Sequence, residues 1–72
     1  MNEMFRKGAR VKWNRCQDIC RGRIAERFES RVEWTVEGAP MSRNGSPHDP
    51  AFLIMTDAGA QVLKLASELS RA

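Results

Sequence analysis

Cys16, Cys20 and His48 come nearest to a reactive or metal-holding set in this chain, which contains two cysteines and one histidine. The C-x3-C spacing resembles half of a zinc site, but a structural zinc ion takes four Cys or His ligands and the chain is one short. No metal is therefore expected. A disulfide between the two is geometrically possible but disfavoured in the cytosol, so two reduced thiols are expected, one on a strand and one in a turn. A Cys–His nucleophile pair would need a partly exposed, electropositive site and an orienting group. Arg15 and Arg21 supply positive charge, but no orienting group or oxyanion device is recognisable. There is no Gly-rich phosphate loop of Walker or Rossmann spacing either. The chain is expected to be no enzyme and to carry no cofactor.

Two further constellations could bind rather than react. Arg6, Lys7, Arg10, Lys12, Arg15 and Arg21 have no evident acidic partners in the sequence. Gathered on one face they would attract phosphates in a salt-sensitive and weakly sequence-selective manner; the plainer alternative is a solvated face. An aromatic cage for a methylated lysine would need several rings converging on an exposed point. The chain has no tyrosine, and Trp13, Phe28, Trp34 and Phe52 fall on inward phases, so core packing is the preferred reading. Trp34, with Arg43 and His48 from a neighbouring loop, is the candidate rim contact.

The elements that must position these residues emerge from periodicity. Ala9, Val11 and Trp13 alternate with Arg10, Lys12 and Asn14, the period-2 pattern of a half-buried strand. Gly8 before it suits a turn, because glycine accepts positive φ at little cost. Cys20 to Phe28 reads as a second strand with Arg21, Arg23 and Arg27 outward, and Glu26 interrupts its apolar face where a bulge or a partly open edge would fit. Val32, Trp34 and Val36 mark a third strand. With residues 29–31 as the connection, Phe28 would pair with Val32, Ile24 with Val36, Arg27 with Glu33 and Arg23 with Glu37, and Trp34 would lie opposite Glu26. Residues 38–50 contain all three prolines and two of the five glycines and read as a long loop. Ala51 to Thr56 and Gln61 to Leu65 are the fourth and fifth strands, joined by a turn at residues 57–60. A last helical turn begins at Ser67, with Leu69 as a plug.

The sum is an all-β domain over residues 1–72: a small five-stranded, strongly bent barrel with a short C-terminal helical turn. Its expected core is Val11, Trp13, Ile24, Phe28, Val32, Trp34, Val36, Phe52 and Ile54. A chain of 72 residues is close to the smallest that a hydrophobic core alone can hold, and a deep catalytic cleft is not expected. The longest apolar run, Ala51 to Met55, is too short to span a bilayer, and the N-terminus lacks a signal-peptide apolar region. A cytoplasmic monomer without membrane contact is the expectation. Residues 1–36 carry nine Lys/Arg against five Asp/Glu, whereas residues 37–72 carry three against four. The basic half is where an anionic partner would dock.

The segments FRKGARVKWN, RGRI and DPAFLIMTDAGAQVLKLASEL resemble the hypervirulence-associated protein TUDOR domain family. Phe5, Lys7, Gly8, Val11, Trp13 and Asn14 carry the resemblance in the first strand, and Gly22 and Ile24 in the second. Asp49, Pro50, Phe52, Ile54, Asp57, Gly59, Lys64 and Leu69 carry it later. Phe52 stands where the family frequently has tyrosine, and CQDIC is not among the features that carry the resemblance. The resemblance covers most of the chain and implies an SH3-like or tudor-like barrel, with no established biochemical activity. Similar modules bind peptides, modified lysines or nucleic acid, but a shared barrel does not transmit a ligand. Two functions fit these residues: a non-catalytic interaction module contacting a protein or peptide through Trp34 and the 38–50 loop, and a sequence-tolerant binder of RNA or DNA using the basic set.

Overall fold

The computed structural model describes residues 5–15, 18–36 and 38–71. Seven strands and one 3-10 turn run in the order β1 (Arg10–Arg15), β2 (Asp18–Phe28), β3 (Arg31–Val36), β4 (Ala39–Asn44), β5 (Ala51–Thr56), β6 (Gln61–Leu65), the turn Ala66–Glu68 and β7 (Ser70–Arg71). Five of them form an antiparallel sheet in the order β6-β5-β2-β1-β7, and β3 and β4 form a separate two-stranded ribbon. The all-β, SH3-like or tudor-like class expected from the sequence is the class observed.

The long strand β2 organises the sheet. One side of it pairs with β1, from Arg15 opposite Asp18 to Arg10 opposite Arg23. Gly8, at φ 85°, turns the incoming chain so that its N–H donates to the Ile24 carbonyl at 2.7 Å, extending this ladder beyond β1. The other side of β2 pairs with β5, and the register shifts between Ile24 and Glu26. This is the expected bulge. An extra residue at that point reverses the inward and outward phase of the remainder of the strand. Ile24 accordingly packs with Val11, Trp13, Phe52 and Ile54, while Ala25 and Phe28 pack with Leu53 and Leu63.

Alternation along β5 divides the core in two. Phe52 and Ile54 join Phe5, Val11, Trp13, Ile24, Ala66 and Leu69, with the Phe5 and Phe52 rings edge to face at 5.6 Å. Ala51 and Leu53 join Val32 and Leu63, against which Phe28, Trp34, Met41 and Leu65 are packed. Phe52, Ile54, Leu63 and Val11 are fully buried, each side chain contributing about 1.5–3 kcal/mol by leaving water. Leu69 plugs the first cluster as expected. Phe28, Trp34 and Val36, expected in a single core, are only half-buried.

Two expectations are corrected. The β2–β3 hairpin does not form: the Ile24–Phe28 part of β2 pairs with β5 instead, and after Glu29 and Ser30 the chain leaves the sheet and β3 pairs with β4. Arg27 pairs with Glu29 and Arg31 with Glu33, so neither Arg27 with Glu33 nor Phe28 with Val32 is a cross-strand pair. Within the 38–50 segment, residues Ala39–Asn44 are a strand. Its sequence APMSRN has no apolar alternation to reveal it, and Pro40 opposite Thr35 is tolerated because β4 has a second edge that joins no sheet.

Side chains fasten the ribbon and the C-terminal turn. The Asp49 carboxylate accepts from the Ser67 N–H at 2.8 Å and from the Ser67 hydroxyl at 2.9 Å. Glu68 Oε1 accepts from the Leu65 N–H at 2.7 Å and from Arg43 Nε at 3.3 Å, tying β4 to the turn after β6.

Candidate functional site

Two surface features are large enough to bind something. The first is an open groove of about 760 Å³ between the ribbon and the sheet. Trp13, Cys20 and Val62 of the sheet form one apolar wall, and Val36, Ala39 and Met41 of the ribbon form the other. Arg21, Asp57, Gln61 and Lys64 bring polar atoms to it. The groove exists because the ribbon is anchored at Val32 and Trp34, against the second core cluster, while its far end near Val36 and Ala39 reaches across toward Trp13 and Cys20.

The second feature is the outer face of β1 and β2. Directly opposed residues on neighbouring strands share a face, and the register opposes Arg10 to Arg23 and Lys12 to Arg21. Like charges directly opposite one another are destabilising, yet two such pairs stand in succession. Arg10 is partly neutralised by Asp57, at 3.3 Å. Among the described residues, Lys12, Arg21 and Arg23 have no acidic partner within ion-pair distance. Ile19 and Met55, the large apolar side chains most exposed to solvent, lie beside these cations, opposite Asn14 and Arg23.

The structure regroups the residues singled out from sequence. Lys7 is paired with Glu26 at 3.3 Å, and Arg10 with Asp57, so both have the acidic neighbour that the sequence does not reveal. Arg6 accepts from the Ala9 N–H through its carbonyl in the turn before β1. Arg15 ends β1 opposite Asp18, and its side chain lies outside the described residues. The partner expected for Arg23, Glu37, also lies outside the described residues; the cross-strand neighbours of Arg23 are Arg10 and Met55. Its membership of the basic face is hidden in the sequence because it depends on which strand lies beside β2.

The candidate rim separates. Trp34 lies opposite Met41 rather than Glu26; its ring packs on Phe28 at 6.2 Å and its Nε1 donates to Gln61 Oε1 at 3.3 Å. Arg43 is spent on Glu68 and on the Ser42 carbonyl. His48 is exposed in the turn closed by Ser46 and Asp49. Cys20 is half-buried in the groove wall, and the expectations resting on Cys16 fall outside the described residues. Among the described residues no three His, Cys, Asp or Glu side chains converge as metal ligands, and no helix is long and apolar enough to cross a membrane.

Residues 8–69 match the family model for the TUDOR domain of hypervirulence associated proteins. No curated protein and no solved structure matches the chain.

Proposed function

Since this chain belongs to the family of hypervirulence associated proteins TUDOR domains, we propose that it is a non-catalytic interaction module whose groove takes a short extended peptide by an apolar side chain. The observation that carries this reading is the pair of facing apolar walls, Trp13, Cys20 and Val62 against Val36, Ala39 and Met41, open to solvent between ribbon and sheet. Its volume is within the roughly 300–1,000 Å³ of pockets that hold small ligands. Arg21, Asp57, Gln61 and Lys64 add polar lining beside the apolar walls, which suits a ligand that carries a peptide backbone. The contact region retains the ribbon part of residues 38–50 but leaves out Trp34, whose indole N–H is already used by Gln61.

Titrating the isotope-labelled domain with short peptides carrying a central Leu, Met or Phe tests this. Amide shifts at Trp13, Cys20, Val36, Met41 and Val62 are expected. They should disappear in Ala39→Trp, which fills the groove from an exposed position. Shifts confined to another surface, or an Ala39→Trp variant that binds equally well, would sink the proposal.

A further inference from the structure

We infer that the outer face of β1 and β2, which meets the margin of the groove at Arg21, is a second binding surface, for the phosphate backbone of duplex DNA. The face is built from two successive like-charge pairs, Arg10 with Arg23 and Lys12 with Arg21. Three of these four cations have no acidic partner among the described residues. Mutual repulsion of such pairs costs the fold stability, and a polyanion laid across the face removes that cost.

Spacing and composition choose among polyanions. Alternate residues along a strand are about 6.8 Å apart, close to the roughly 7 Å that separates neighbouring phosphates along one strand of B-form DNA, which rises about 3.4 Å per phosphate as it turns. The two cation rows are therefore commensurate with a duplex backbone. Single strands are held largely by bases stacking on exposed aromatic rings. All five aromatic residues are buried or half-buried, so this face offers no such platform. Base-edge readout is not provided for either, and the binding expected is sequence-tolerant.

The test is fluorescence anisotropy of a labelled DNA duplex with the full chain over a series of salt concentrations. Neutralising three to four phosphates gives a slope of log affinity against log salt of about −3. Lys12→Gln, Arg21→Gln and Arg23→Gln should each make the slope shallower by about 0.9. Arg31→Gln, on the ribbon, should leave it unchanged. Each face variant removes a repulsion, so its thermal midpoint should stay level or rise, a result that separates lost contacts from a damaged fold. A slope shallower than about −1, or unaltered slopes in the face variants, would overturn the inference. So would tighter binding of a single strand, an RNA duplex or vesicles of anionic phospholipid than of the DNA duplex. The groove variant Ala39→Trp should bind DNA as the parent does, which keeps this test independent of the peptide reading.

Discussion

Replacing Gly22 by alanine perturbs the sheet at its most crowded point. Gly22 sits between Val11 on one side and Thr56 on the other. A Cβ there would lie 2.5 Å from the Met55 carbonyl oxygen, 2.8 Å from Ile54 Cγ2 and 3.0 Å from Thr56 Cα. Ordinary contact begins near 3.4 Å, so β2 and β5 must separate locally by about 0.9 Å. That displacement takes ladder bonds from about 2.9 Å to about 3.8 Å, beyond hydrogen-bonding range. Two lost bonds at about 0.5–1.5 kcal/mol each, added to an overpacking cost of about 1–3 kcal/mol, are offset by about 0.4–1 kcal/mol from the stiffer unfolded chain. The net loss is about 3 kcal/mol, which at about 4–8 °C per kcal/mol for a domain of this size lowers the midpoint by about 12–24 °C. Differential scanning calorimetry measures it. Gly8→Ala is the comparison: no atom lies within 4 Å of its Cβ, so only the positive φ is penalised, at about 1–2 kcal/mol, with no shift changes at Met55 and Thr56. A Gly22→Ala midpoint within about 4 °C of the parent would refute the close approach.

Other perturbations draw on the same contacts. Trp13→Ala should cost about 3–5 kcal/mol by emptying the first cluster, which urea unfolding will read as a large drop in midpoint or as no folded baseline. Asp49→Ala removes acceptors from both the N–H and the hydroxyl of Ser67 and should lower stability by about 1–3 kcal/mol, with amide shifts concentrated at residues 65–69. Glu68→Ala releases Arg43 and the Leu65 N–H together; about 1–2 kcal/mol is expected, and calorimetry of the double variant with Arg43→Ala should show a non-additive loss. Glu33→Gln breaks only the exposed pair with Arg31 and should change stability, read by calorimetry, by less than about 1 kcal/mol.

Alternating side chains make much of the architecture readable in advance. Val11 and Trp13 can only face inward if Arg10 and Lys12 face water, and the structure keeps that phase. The Glu26 interruption marks the bulge, because a charged residue on an apolar face has to be accommodated somehow. Strand order is less accessible. Opposite charges on β2 and β3 make a hairpin attractive, but pairing depends on which long-range partner buries more apolar surface, and β5, with Phe52, Leu53 and Ile54, outweighs a few exposed ion pairs. Strand β4 is hidden because a ribbon edge held through its backbone asks little of side-chain pattern. The same long-range choice conceals Arg23 from the basic face and places the groove where no local motif announces it.

The ribbon of β3 and β4 meets the sheet through packed side chains and the Glu68 clasp, and shares no backbone ladder with it. Two strands alone are marginal in water, so the ribbon is expected to detach as a unit at a lower free energy than the sheet unfolds. Its amides should exchange with deuterium well before those of β5 at equal intrinsic rates. One wall of the groove is therefore expected to open while the other stays closed, and an occupant bridging the two would slow ribbon exchange far more than it would raise the melting point of the whole domain.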